Sequence, residues 1–354
     1  MSQAQLTLWP MHPKLLPDEL LSSWLVRVAH ANGLKVQTFC KVIFGDQRQV
    51  WNRDIDRLAP TWLIETLSRY TATPITTVYR SSLRAYEGAL YPVYREVGVL
   101  QWILNLSLYH RTLAGHGLQF CPCCLASDAT PYFRKRWRIG LYAICTVHRT
   151  RLLDACPRCS SSVAFHRVEM GKPGQLRHIP LSTCHICGFD LRNAMAASLN
   201  AYDDDVDNAL IGICSAVEND KLFDASISTM DWMLVMHQLV KLICTPRAGV
   251  HLREFLEDQL HTPASDLRPG KTPFELRRLD ERLHALRLAI WLASDLESRL
   301  RLAWQARAIR YNHMLKDFPN APVWYRKLTE TFSNWRDIPC CQRLGHRSIS
   351  SSDS

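Results

Sequence analysis

Eight residues in the middle of the chain have the types and spacing of two four-ligand metal sites. Each site is built from two pairs of donors, each pair separated by two residues, and zinc takes four such nitrogen or sulfur donors in a tetrahedron. The first set is Cys121, Cys124, Cys145 and His148, and the second is Cys156, Cys159, Cys184 and Cys187. The sequence therefore predicts two structural Zn²⁺ ions per chain.

The first ligand of the first set has an alternative. The run Cys-Pro-Cys-Cys could coordinate through Cys123 instead of Cys121. The two-residue spacing favours Cys121 together with Cys124. Of the other cysteines, Cys40, Cys214 and Cys244 lie on apolar helical faces, where a small buried side chain is the simplest interpretation.

The pattern predicts no enzyme. A catalytic zinc ion keeps three protein ligands and one open position, whereas both sets here supply four donors. The deaminase signature and H-E-x-x-H are both absent. The run Gly270-Lys271-Thr272 lacks the leading glycine of a phosphate-binding loop, because Ser265 stands in its place. A zinc enzyme is the weakest of the alternatives.

The charge balance points to a polyanionic partner. The 354 residues include 43 Lys and Arg against 33 Asp and Glu, a formal net charge of +10. Basic and aromatic residues alternate between the halves of the first metal site, which predicts contact with nucleic acid or with an acidic protein surface; a solvated face is the alternative. The predicted contact residues are Arg134, Lys135, Arg136, Arg138, Arg149 and Arg151.

No apolar run approaches the roughly eighteen residues that cross a bilayer, and the N-terminus has neither a basic segment nor a cleavage site. These features predict a soluble, cytoplasmic protein. Because the cytoplasm is reducing, the paired cysteines are expected to bind metal rather than form disulfides.

The predicted fold is mainly α-helical, with small β elements in the zinc-binding part. A helix from Pro60, a turn at 71–74 and a helix over Ile75 to Tyr86 have the order of a helix-turn-helix unit, although a plain helical bundle gives the same pattern. Turn residues at 171–174 predict a β-hairpin of Ser162 to Val168 with Gln175 to Leu181.

Four regions follow from these patterns. Residues 1–115 are predicted to be a helical domain with the helix-turn-helix-like unit, and 116–192 a tandem zinc-binding domain of the finger or ribbon type. Residues 193–340 are predicted to be a helical C-terminal domain. The polar tail 341–354 is expected to be disordered.

Several ordered motifs between about residues 10 and 192 resemble the TniQ/TnsD family of transposon target-selection proteins. The motifs are Pro17–Arg27, Phe120–Leu125, Asp128, Pro131–Arg134, Trp137-Arg138, Cys145-x2-His148, Leu152-Leu153, Cys156-Pro157-x-Cys159 and Cys184–Leu191. The C-terminal half has no residue-by-residue match; the family often has further helix-turn-helix units there.

This resemblance implies a non-catalytic adaptor of a DNA transposon. Such an adaptor recognises a target DNA site or a CRISPR RNA-guided effector complex and recruits an AAA+ ATPase, which positions the transposase. Membership also implies a possible homodimer. The other class that the residues allow is a stand-alone zinc-ribbon transcription regulator that binds DNA through its helix-turn-helix unit.

Overall fold

The computed structural model describes residues 8–46, 50–106, 115–168, 179–199, 204–218, 227–246, 248–263 and 271–333. Within these ranges the protein is mainly helical, as the sequence predicts. The predicted tail, 341–354, lies outside the described residues. No helix within these ranges has both the length and the apolar character that crossing a bilayer requires.

The described residues of the N-terminal part form α1 (Leu21–Ala31), α2 (Val36–Phe44), α3 (Ile55–Leu58), α4 (Thr61–Thr71) and α5 (Ile75–Arg80). Helix α1 is the centre of this group, because its apolar residues from Leu21 to Ala29, with Trp24 among them, are completely buried. Trp24 Nε1 also donates a hydrogen bond to Pro13 O (2.7 Å). The burial of one large aromatic side chain thus fixes the segment before α1.

The predicted helix-turn-helix unit corresponds to α4 and α5, which pack against each other. The second helix is shorter than predicted, because it ends at Arg80 and a 3₁₀ turn covers Leu83–Tyr86. Ser81 Oγ and Ser82 Oγ donate to the carbonyls of Val78 and Tyr79. Such local bonds compete with helical hydrogen bonding and stop the helix there.

The described residues of the part predicted to bind zinc contain α6 (Pro122–Ser127) and a two-residue strand, β1 (Thr150–Arg151), which pairs antiparallel with β2 (Ala197–Ser198). The predicted hairpin is wrong in its first strand, since Phe165–Arg167 is a 3₁₀ turn. The ring of Phe165 stacks on Phe133 at 4.6 Å, so packing decides the local conformation. Residues 175–178 of the predicted second strand lie outside the described residues.

The described residues after 199 form α7 (Asp204–Glu218), α8 (Thr229–Cys244), α9 (Ala248–Leu260), α10 (Leu279–Ser294), α11 (Leu296–Gln305), α12 (Tyr311–Met314) and α13 (Val323–Glu330). Helix α10 is central to this group, because it contacts α7, α8, α9 and α11. The helical C-terminal part is therefore organised around one buried helix.

The C-terminal helices share a buried contact region with the segments around Trp102 and Gly140. Trp102 donates its backbone N–H to Glu275 Oε1 (2.9 Å) and its indole N–H to Met233 O (3.2 Å). Gly140 lies so close to Phe274 that a Cβ at this position would be 2.8 Å from the ring. The two parts thus pack with no space for another side chain.

Candidate metal centres and basic surface

The first metal centre is assembled by the start of α6 and by the turn that precedes β1. Cys121 is the N-cap of α6 and accepts a hydrogen bond from Cys124 N at its Sγ (3.4 Å). The turn from Cys145 to His148 repeats this arrangement, with His148 N donating to Cys145 Sγ (3.4 Å). Backbone N–H groups therefore point at sulfur in both halves, which stabilises thiolates bound to a metal.

The donor atoms of the first centre have the separations of a tetrahedron. Cys124 Sγ lies 3.6 Å from Cys145 Sγ and 3.3 Å from His148 Nδ1. With metal–sulfur bonds of about 2.3 Å, a tetrahedral site has sulfur–sulfur edges of about 3.8 Å. Cys121 belongs to this group, whereas Cys123 does not. The geometry therefore favours Cys121, as its spacing does.

The second centre has four sulfur donors. Cys156 Sγ lies 3.7 Å from Cys187 Sγ, and Cys159 Sγ lies 3.7 Å from Cys184 Sγ. Gly188 follows the last donor at a φ of 70°, a conformation that most other residues adopt only with strain. This glycine allows Gly188 N to bond back to Cys184 O (3.0 Å) and close the turn.

Both donor sets fit zinc. Sets of three sulfurs and one nitrogen, or of four sulfurs, are typical of structural zinc, and four donors leave no position for a substrate or a reactive water. The ion would supply folding energy by crosslinking distant segments. Within the described ranges these are the only groups of three or more His, Cys, Asp or Glu residues placed to hold a metal ion.

Of the six predicted contact residues, Arg138 is buried, whereas the other five are partly or fully exposed. Arg138 is fully buried and therefore cannot contact a phosphate at the surface. Its guanidinium pairs with Asp54 and lies 3.3 Å from Asp56 Oδ2. Burial, together with the Asp54 carboxylate, raises the pKa of Asp56 to about 7, although Arg138 opposes this shift. Arg138 is thus the cation that holds two carboxylates inside the protein.

Arg136 joins three parts of the chain. Its Nε lies 2.7 Å from Asp18 Oδ2, and its Nη1 lies 2.7 Å from Glu218 Oε1 at the end of α7. Burial acts to lower the pKa of Arg136, but the two carboxylates outweigh it and raise the pKa. The side chain is about one-fifth exposed. Its geometry indicates a crosslink between regions rather than a free phosphate contact.

Arg134 and Lys135 are also engaged. Arg134 forms a two-bond pair with Asp128 (2.8 and 3.1 Å) and lies over the rings of Tyr132 and Trp137. Lys135 Nζ donates to Arg80 O (2.7 Å), and burial lowers the pKa of this lysine. Both side chains therefore have partners within the protein.

The remaining predicted cations, Arg149 and Arg151, are at least partly exposed, and so is Arg158, which is not among the predicted contacts. Arg149 is exposed directly after His148, and Arg158 is exposed between Cys156 and Cys159. Arg151 pairs with Asp280 across 2.7 Å in a partly exposed position. Exposed positive charge is thus found on the turns of the two metal centres.

The acidic partners could not be identified from the sequence. Asp18 and Asp54 bond to arginines 118 and 84 residues away. No local spacing connects such residues. The one available signal is that Asp18 and Arg136 fall in or beside motif segments. The structure places these two segments side by side, since Leu20 N donates to Phe133 O (2.9 Å) and Lys135 N donates to Asp18 O (2.7 Å).

These features describe a helical protein with two closed Cys/His metal centres and a TniQ-type motif order. Residues 10–152 match the family model named TniQ. This match supports membership of the TniQ family for that part of the chain. A TniQ domain fits a general role in target selection for transposition. A search of the curated proteins found no match.

Proposed function

We propose that this protein is a non-catalytic target-selection adaptor for DNA transposition, acting in the cytoplasm. It would recognise a target DNA site or a CRISPR RNA-guided effector complex and recruit an AAA+ ATPase, which in turn brings the transposase; it could act as a homodimer. The observation that carries this proposal is the TniQ match over residues 10–152. The closed donor sets support it, because they provide no open metal position for catalysis.

The proposal is tested by a reconstituted transposition reaction with and without this chain. Omission is expected to abolish insertion at the chosen target, because the partners then have nothing to assemble on. Transposase and ATPase alone are expected to give a low background of scattered insertions. Full targeted insertion in the absence of this chain would contradict the adaptor function.

The second candidate, a stand-alone DNA-binding regulator, is favoured by α5. All its residues except Val78 are exposed, as in a helix that reads a groove. Footprinting with the purified chain alone separates the two functions. A regulator protects a defined duplex sequence near a promoter and leaves targeted insertion unaffected when it is removed.

The exposed cations on the metal turns offer a further test. Reversal of Arg149 and Arg158 to Glu is expected to weaken binding to DNA or to an RNA-guided complex. If each contacts one phosphate, the slope of log affinity against log salt falls by about 1.8. The matched control is the reversal of Arg307 and Lys316, which are exposed in the turns after α11 and α12 and change the net charge equally. Equal effects of both pairs would indicate a general charge effect and not a contact surface.

A further inference from the structure

Residues 92–99 form an exposed apolar segment that the metal centres and the predicted contacts do not explain. It has neither helix nor strand, and it contains three valines. Val93 is 64% exposed and Val97 is 79% exposed. Aliphatic side chains gain free energy when they leave water, and a group of exposed ones marks a contact site more often than an isolated one does.

The side chain of Arg57 holds the backbone of this segment by hydrogen bonds. The Arg57 side chain donates from Nη1 to Gly98 O (2.7 Å) and from Nη2 to Arg95 O (2.5 Å), and the residue itself is buried. Tyr94 N adds a hydrogen bond to Glu87 Oε1 (2.9 Å). The valines are therefore held in place, so a partner would lose little free energy in ordering them.

Helix α5 extends this exposed surface. Tyr79 Oη donates to Arg84 O (3.4 Å), and the Arg84 guanidinium lies 4.5 Å from the centre of the Tyr94 ring. Contacts thus run continuously from α5 to residues 92–99. Ile75 lies one helical turn before Tyr79 and is also exposed. We call Ile75, Tyr79, Val93, Tyr94 and Val97 the valine-loop surface.

Positive charge borders the valine-loop surface. Arg80 and Arg95 are exposed, and within the described ranges no carboxylate lies at salt-bridge distance from either. The nearby Glu96 is already paired with Arg53 (2.6 Å). Valines have no ring to stack on a base and no hydrogen bond to offer, whereas an apolar centre with a charged rim is typical of protein interfaces.

We propose that the valine-loop surface docks a segment of a partner protein in which apolar side chains are flanked by Asp or Glu. The apolar side chains cover Val93 and Val97, and the carboxylates pair with Arg80 and Arg95. This inference goes beyond the adaptor function, which does not specify the surface that a protein partner contacts. It does not apply to a regulator that reads DNA with α5, whereas the docking surface and the adaptor function can fail independently of each other.

The test places a photo-crosslinking phenylalanine analogue at Val97 in the full chain in its host. The control is the same analogue at Val42, a valine of α2 that is 68% exposed and lies outside this surface. We expect position 97, and not 42, to crosslink to one protein, at a segment with apolar residues flanked by acidic ones. Crosslinks to nucleic acid or to a second copy of this chain, or equal yields at both positions, would overturn the proposal.

Charge exchange then tests the pairing with a synthetic peptide of the crosslinked segment. Arg80→Glu with Arg95→Glu is expected to weaken peptide binding by about tenfold or more, because like charges then face each other. Changing the acidic residues of the peptide to Lys is expected to restore binding to this variant. Unchanged affinity, or failure of the exchange in a variant with normal circular dichroism and metal content, would count against the proposed pairing.

Discussion

Cys145→Ser is expected to remove one of two zinc ions from each chain and to unfold the region around the first metal centre. Cys145 contributes one of four donor atoms, and its Sγ lies 3.6 Å from Cys124 Sγ. Structural zinc contributes on the order of 10 kcal/mol to folding in small zinc domains. Loss of one ligand is therefore expected to remove a large part of the folding free energy of this region. Elemental analysis, with proteolysis of the purified protein, measures both effects.

Cys123→Ser is the matched control for this substitution. Cys123 is a neighbouring cysteine of the same motif, but its sulfur lies outside the group of four donors. This variant is expected to keep two zinc ions and normal resistance to protease. Two zinc ions in Cys145→Ser, or the loss of one in Cys123→Ser, would show that the donor set is different from the one proposed.

Arg138→Met is expected to lower the free energy of unfolding by about 3–5 kcal/mol, because it leaves Asp54 and Asp56 buried without their cation. Denaturant unfolding followed by circular dichroism measures the change. Arg149→Met is the control: it also removes one arginine charge, but from an exposed position, and it is expected to change stability by no more than about 0.5 kcal/mol.

Removal of the carboxylates separates the buried-charge explanation from a simple loss of packing. Adding Asp54→Asn and Asp56→Asn to Arg138→Met is expected to recover part of the lost stability, since the uncompensated charges are then gone. If Arg138→Met is as stable as the parent protein and instead loses nucleic-acid binding, Arg138 acts at the surface after all.

The metal centres could be predicted from the sequence because their information is local. Two donors separated by two residues define half a site, because the turn between them brings both donor atoms to one side. Cys145 and His148 illustrate this arrangement. A donor pair of this kind can be recognised without knowledge of the tertiary fold.

The ion-pair partners of the arginines in the basic run could not be predicted from the local sequence. Arg136 and Arg138 belong to a basic run that is typical of a nucleic-acid contact. Their ion-pair partners are nevertheless distant carboxylates: Asp18 and Glu218 for Arg136, and Asp54 for Arg138. Tertiary pairing overrides a charge pattern, because a cation that pairs with a distant carboxylate is less available to an external phosphate. The 3₁₀ turn at Phe165–Arg167 has a similar origin in packing against Phe133.

The contact between Trp102 and the C-terminal helices limits how such a protein can evolve. The TniQ match ends at residue 152. Trp102 lies within the match, but it donates hydrogen bonds to Glu275 and Met233, which lie far outside it. A recombination event that joined residues 1–199 to unrelated C-terminal helices would leave the indole N–H without an acceptor and Gly140 without its close neighbour. New C-terminal parts are therefore expected to be acquired together with their matching surface, so that the two halves diverge in step.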